Sequence, residues 1–267
     1  MRRLGLMLVL TVVALLAFAF VHATGRTSAS RTPNTLQAGL ADASLLPASP
    51  PPAFAPAKPK LLDRSQVVYR WVPVARRAAA RSAPAPDAPI VSTVDPRTPE
   101  DTSNIVAVLH DRDVAGALWV QARLAVLPNG TVGWIPRSAL GGYQFVNTRL
   151  VVDITRLTAT LLDGGKVVFR APVAVGQARW PTPTGTFYVR EKLTNFSNPF
   201  YGPVAFGTSA RSAVLTDWPS GGFVGIHGTN EPNLIPGRVS HGCVRMRNAD
   251  VLRLSRLMPV GTPVTIR

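Results

Sequence analysis

Prolines set the first limit on this chain. There are 25 of them, and they are unevenly placed. A proline inside a helix removes a backbone hydrogen bond and clashes with the preceding turn. The distribution therefore argues for a linker plus turn-rich β structure rather than a helical bundle. Ser49-Pro50-Pro51-Pro52 and Ala55-Pro56-Ala57-Lys58-Pro59 cannot build a core, and residues 25–60 read as an extended polyproline-type spacer. Upstream, Met1-Arg2-Arg3 opens an uncharged apolar run from Leu4 to Val21, and Val21-His22-Ala23 precedes Thr24. Residues 1–24 thus read as a signal peptide. The run is also close to the ~20 residues that span a bilayer, so a retained signal anchor is the second reading. In both readings the remainder is exported, to the cell wall or to the outer side of the plasma membrane. It touches a membrane only if this segment is kept.

Downstream of the spacer the pattern is β. Gln66-Val67-Val68-Tyr69, Ile105 to Leu109, Leu118 to Leu124 and Thr131 to Pro136 are strand-like runs, and Pro128-Asn129-Gly130 supplies a turn. Ala75 to Asp101 is proline-rich and is expected to be loose. Trp119 and Trp134 either line a peptide groove or fill a small core. Beyond Asn147 come strands at Thr148–Ile154 and Leu157–Leu162, and a hairpin turn at Asp163-Gly164-Gly165 into Lys166–Arg170. Ala171 to Gly176 continues extended, Trp180 to Gly185 is a stiff loop, and Thr186–Val189 and Gly261–Ile266 are further strands. One helix is expected at Asn248–Leu257, capped by Asn248, with Val251, Leu252, Leu254 and Leu257 as its apolar face.

The formal charge is +15. That balance suits anionic partners, with anionic wall polymers as candidates. The basic residues are scattered, with no compact run and no zinc-finger or basic-helix pattern, so nucleic acid is not expected as a partner. The chain has a single cysteine, Cys243, which excludes an intramolecular disulfide. A lone cysteine in an exported chain is either an inert core residue or a group kept for its reactivity.

Its neighbours favour reactivity. Val224 to Asn230 reads Val-Gly-Ile-His-Gly-Thr-Asn, and Ser240 to Met246 reads Ser-His-Gly-Cys-Val-Arg-Met. A thiol with a pKa near ~8.5 is mostly protonated at neutral pH and needs a base. His227 and His241 are candidates. On an extended segment His241 and Cys243 would share one side, while His227 would approach from a neighbouring strand. Gly228 and Gly242 let backbone come close to a ligand, and a turn at Gly242-Cys243 can aim N–H groups at a developing oxyanion. The competing reading makes His227, His241 and Cys243 zinc ligands, but no convincing fourth ligand or catalytic carboxylate accompanies them.

These residues resemble the L,D-transpeptidase family, of YkuD type. His227-Gly228, Ser240-His241-Gly242-Cys243 and Arg245 match its motif, and Thr182-Pro183-Thr184-Gly185 matches it upstream. The resemblance covers residues 146–267. It implies a β-sandwich-like catalytic domain with one short helix near the C-terminus and no metal or cofactor. It implies that Cys243 attacks a peptidoglycan stem tetrapeptide at its third residue, a diamino acid, releasing D-Ala. An amine of a second stem then resolves the acyl-enzyme into a 3→3 cross-link. By family position His227 is the base, oriented by the Gly228 carbonyl. Ser240, His241, Arg245 and Tyr201 are implied near the substrate, Tyr201 as part of a lid. An L,D-carboxypeptidase would use the same acyl-enzyme with water. Residues 61–145, with their Trp-Val-x-Ala strand, turn and Gly-Trp-Ile-Pro run, resemble bacterial SH3-like modules. That resemblance implies a small barrel, for which a wall-binding role is the alternative function.

Overall fold

The computed structural model describes residues 68–194, 198–216 and 222–267. The export segment and spacer lie outside the described residues, as do Gln66 and Val67. No helix among the described residues is long and apolar enough to cross a membrane. Among the described residues, two sheets and one α-helix make up the architecture, mostly β as the sequence pattern requires.

The first sheet holds β1 (Tyr69–Pro73), β2 (Ala78–Arg81), β3 (Ile90–Val94), β4 (Ile105–Val114), β5 (Ala117–Arg123), β6 (Val132–Pro136) and β7 (Gln144–Val146). Their order is β3-β2-β6-β5-β4-β1-β7. Alternation buries one face, with Val72, Val106, Val120, Ala122 and Ile135 in its core. Ala75 to Asp101 is not loose: it supplies β2 and β3. Alanines carry little strand preference, so pairing and fit decide. β2 pairs with β3 and β6, and a Cβ on Gly133 would stand 2.9 Å from the Ala80 Cβ, which demands small residues here. Trp119 is buried and cannot line an open groove, whereas Trp134 is half-buried.

The second sheet holds β8 (Thr148–Asp153), β9 (Thr158–Asp163), β10 (Lys166–Pro172), β11 (Ala174–Gly176), β12 (Gly185–Thr194), β13 (Val204–Arg211), β14 (Phe223–His227), β15 (Gly237–Ser240), β16 (Val244–Arg245) and β17 (Pro263–Ile266). Their order is β10-β9-β8-β17-β12-β13-β14-β16-β11-β15. Gly164 and Gly165 join β9 to β10 with φ of 53° and 84°, the left-handed pair that a tight hairpin turn needs. The helix α1 (Asn248–Leu257) has the expected range but a different inner face. Val251, Leu254 and, just beyond the helix, Met258 are buried, while Leu252 and Leu257 are exposed. Asn248 is not the cap. Arg247 occupies that position without a side-chain bond, and Asn248 Oδ1 instead accepts the Thr229 N–H at 2.9 Å.

The sheets are joined by buried polar contacts. Glu191 of β12 accepts hydrogen bonds from the hydroxyls of Thr98 (2.9 Å) and Thr102 (2.5 Å) and pairs with Arg190, which also reaches Glu100 at 2.8 Å. Burial opposes ionisation of Glu191, but Arg190 and the two hydroxyls outweigh it and hold the carboxyl below its ordinary range. Tyr188 donates to the Ile105 carbonyl at 3.1 Å. The Asn129 amide, in the β5–β6 turn, donates to the Arg211 carbonyl (2.7 Å) and accepts the Arg211 N–H (3.0 Å). Gly261, at φ 86°, lies so close to the Trp71 ring that a Cβ there would fall 2.0 Å from it.

Candidate active site

The segment carrying the thiol is a tight turn between β15 and β16 rather than a continuous strand. Gly242 makes the turn at φ 113°, a region that strains any residue with a Cβ. Buried hydroxyls satisfy its backbone. Ser240 Oγ donates to the Cys243 carbonyl at 2.6 Å and accepts the Gly242 N–H at 3.1 Å. Thr182 Oγ1 donates to the Gly242 carbonyl and accepts the Gly176 N–H, both at 2.8 Å. His241 and Cys243 therefore flank a turn rather than alternate along a straight strand, and both still line the same pocket. His241 stacks on Trp180, ring centroids 3.9 Å apart, with the Arg179 guanidinium on the same indole. Burial, then the charges of Arg245 and Arg179, lower its pKa.

His227 comes from the strand next door. β14 runs parallel to β16 with Ile226 opposite Val244 and His227 opposite Arg245. This register sets Gly225 beside Cys243, and the Gly225 N–H points at Sγ from 3.3 Å. A Cβ on Gly225 would lie 3.7 Å from His227 Cδ2 and 3.9 Å from Cys243 Sγ. Thiol and imidazole thus border one small space that exists because residue 225 has no side chain. Burial pushes the thiol pKa up, against the Gly225 N–H and the Arg245 charge, which favour thiolate. Burial also pushes His227 down to about 4, with Arg245 adding to it and the Gly228 carbonyl opposing. Both groups rest uncharged at neutral pH. His227 Nδ1 lies 2.6 Å from the Gly228 carbonyl oxygen. That oxygen can only accept, so Nδ1 carries the proton and Nε2 keeps its lone pair. Nε2 is buried and has no hydrogen-bond partner among the described residues.

Aromatic rings cover the imidazole. Tyr201 meets it edge-on at 5.0 Å, and Phe200 lies at 6.1 Å. The pocket is completed by Leu215, Phe223, Ser240, His241, Cys243 and Arg245. Arg245 is nearly fully buried, with its guanidinium 4.3 Å from the Phe200 ring and 3.0 Å from Glu231. The tyrosine turn packs directly on the histidine turn: a Cβ on Gly202 would lie 2.6 Å from Gly228 Cα, and one on Gly228 would lie 2.3 Å from Asn248 Oδ1. Among the described residues no group of three or more His, Cys, Asp or Glu is gathered to hold a metal.

The L,D-transpeptidase catalytic domain of YkuD type matches residues 147–266. The YkuD protein of Bacillus subtilis, described as a putative L,D-transpeptidase, is 34% identical over 167 residues, which cover 62% of this chain and 93% of that protein. The chain belongs to the L,D-transpeptidase family. YqjB of the same organism is a further relative, 36% identical over 132 residues, or 46% of this chain and 70% of that one. Among solved structures, the catalytic domain of the Enterococcus faecium L,D-transpeptidase is 26% identical with a TM-score of 0.34, covering 45% of this chain and 96% of that one. Membership makes this chain an enzyme that acts on peptidoglycan.

Within this family member, the residues named from sequence divide by position. Cys243, His227, His241, Ser240, Tyr201 and Arg245 line one pocket, and Gly228 joins it through its carbonyl's contact with His227. Ser240, expected near substrate, is fully buried with its hydroxyl spent on the turn. It positions Cys243 from the wall of the pocket. The Gly242 N–H, expected to face an oxyanion, is taken by Ser240. The carboxylate that Arg245 holds is the chain's own Glu231. Sequence reasoning missed Gly225, Phe200 and the reach of Asn248. Gly225 had a visible signal: it lies two residues before His227 on a strand, and so on the same face.

Proposed function

We propose that the protein is a cysteine-dependent L,D-transpeptidase that forms 3→3 cross-links between peptidoglycan stem peptides, outside the plasma membrane. The observation that carries this reading is the buried, partnerless Nε2 of His227, its tautomer fixed by Gly228, beside a thiol that already accepts an N–H from Gly225.

Because thiol and imidazole rest neutral, the proton moves only as the reaction proceeds. His227 Nε2 takes the Cys243 proton while Sγ attacks the carbonyl of the third stem residue. The Gly242 N–H is engaged by Ser240, which leaves the Cys243 N–H as this turn's candidate donor to the resulting oxyanion. The imidazolium, disfavoured by burial, returns its proton to the leaving amine. The C–N bond to D-Ala breaks, leaving a thioester on Cys243. An amine of a second stem then loses its proton to His227, attacks the thioester and forms the new amide, and the thiol is restored. Tyr201 and Phe200 pack against the imidazole beside this pocket.

The test is intact-mass analysis of the protein with a stem tetrapeptide. A thioester adduct on Cys243, absent in Cys243→Ala, and a cross-linked dimer product are expected. Tripeptide alone, in the presence of abundant acceptor, would make it a carboxypeptidase. Loss of D-Ala that persists in Cys243→Ala would remove the thiol from the mechanism.

A further inference from the structure

The far side of the second sheet carries a feature that acyl transfer does not use. Along β8, Leu150 and Val152 point into the core, as do Ala159 and Leu161 on β9 and Phe169 and Ala171 on β10. The alternate residues face outward. They line a cleft of about 520 Å³, bordered by Arg149, Arg156, Arg170 and Arg267, with Thr158 and Thr160 between them and Val151 and Leu162 as its apolar floor.

The cleft holds four guanidinium groups against one side-chain carboxylate, that of Asp153. That carboxylate is already engaged. It accepts the N–H groups of Arg156 (2.8 Å) and Thr155 (3.1 Å) and the Arg156 guanidinium at 3.3 Å. Arg149 and Arg170 are exposed and have no ion pair or side-chain hydrogen bond among the described residues. Arg149 stands opposite Leu162 on one side of β9, and Arg170 opposite Thr160 on the other. Their Cα atoms are thus separated by two strand spacings, about 10 Å, plus a short offset along the strands. Four guanidinium groups spread along the cleft carry more charge than one small anion neutralises, whereas successive charges of one polymer match them. Arginine forks match phosphate oxygens, threonine hydroxyls suit sugar or polyol hydroxyls, and the Val151–Leu162 floor suits a C–H face.

We propose that this cleft binds a linear phosphodiester polymer with a sugar or polyol backbone. A concave strip of this kind fits a strand better than it fits a flat lipid surface. Arg238, at the start of β15, donates to the Ile154 carbonyl at the cleft's edge, 2.7 Å away, and β15 runs directly into the turn that carries Cys243. A wall polymer held here therefore keeps the thiol beside the mesh to which the polymer is attached. The proposal does not depend on the acyl-transfer reading, because its test measures binding.

The full chain is titrated with a synthetic glycerol-phosphate hexamer, with inorganic phosphate, and with vesicles of equal parts phosphatidylcholine and phosphatidylglycerol. Arg149→Gln/Arg170→Gln is compared with Arg112→Gln/Arg256→Gln, an equal loss of charge elsewhere. The first pair is expected to weaken hexamer binding about 10-fold or more and to lower its log–log salt slope by about 1.4, two contacts at ~0.7 each. The control pair is expected to stay within about 2-fold, in keeping with weak, screened charges outside the contact. Hydrolysis or transfer on a soluble stem peptide should be unchanged in both, and far-UV circular dichroism checks the fold. Equal weakening by the two pairs would overturn the proposal in favour of net charge. Vesicle binding that falls while hexamer binding holds would overturn it in favour of a lipid headgroup. Inorganic phosphate binding as tightly as the hexamer would reduce the site to a single-anion pocket and refute the polymer.

Discussion

Replacing Gly225 with alanine separates folding from chemistry. The added Cβ would meet the Phe206 carbonyl oxygen at 3.5 Å, His227 Cδ2 at 3.7 Å and Cys243 Sγ at 3.9 Å. All three are ordinary van der Waals distances, so nothing has to move in the folded protein. The Gly225 N–H is retained, and with it the bond to Sγ. In the unfolded chain alanine has fewer conformations than glycine, which stabilises the protein by about 0.4–1 kcal/mol. The methyl group nevertheless occupies the space that thiol and imidazole share, where the reacting carbonyl has to approach. A displacement of about 1 Å costs about 100-fold in rate, or ~2.7 kcal/mol. Thermal unfolding and the rate of acylation, followed by intact mass, are measured on the same preparation. A melting temperature that is equal or higher, with acylation about 100-fold slower, is expected. Wild-type acylation would show that the reaction does not pass through this space, and a destabilised variant would show that the steric reading is wrong. Gly228→Ala is the contrast. Its Cβ would fall 2.3 Å from Asn248 Oδ1, so stability and activity should fall together.

Other outcomes follow from burial and charge. The folded His227 pKa, about 4 against 6.5, means that the unfolded chain binds the extra proton first as pH falls. Stability from this group is complete above about pH 6.5 and is lost toward pH 4, by about 3 kcal/mol. Urea unfolding at pH 7 and pH 4.5 should show the loss, and His227→Gln should remove most of it. Glu191→Ala leaves Arg190 buried against Glu100 alone and should cost about 3–5 kcal/mol, read as a lower urea midpoint. A carbapenem should give a covalent adduct on wild type but not on Cys243→Ala, because a strained amide acylates an activated thiol. No adduct by intact mass would count against Cys243 as the nucleophile.

Strand pattern and turn chemistry were legible where local preference and final structure agree. The paired glycines between β9 and β10 and the range of α1 are examples. Legibility failed where tertiary contact overrides local preference. β2 is a run of alanines whose strand state comes from its two neighbours. β16 is two residues long, too short for any periodicity. On α1 the leucine count misled: Leu252 and Leu257 look apolar in sequence, but the packing angle against the sheet selects Val251 and Leu254. At the site, the thiol and both histidines were visible from residue type. The turn at Gly242-Cys243 was visible too, but not what holds it, since Thr182 is far away in the chain. The space over Gly225 was hidden for a related reason, because a missing side chain matters only once its neighbours are placed.

The polar seam between the sheets bears on how such chains recombine. Thr98, Glu100 and Thr102 belong to the first sheet's connecting loop, yet their partners Arg190 and Glu191 lie in the catalytic half. A catalytic half grafted onto a foreign N-terminal module would keep an acid and a base buried without the groups that ionise them comfortably. Trp71 would likewise be missing from the hollow at Gly261. The two halves are therefore poor candidates for shuffling, and a substitution on one side of the seam should find its compensating change on the other.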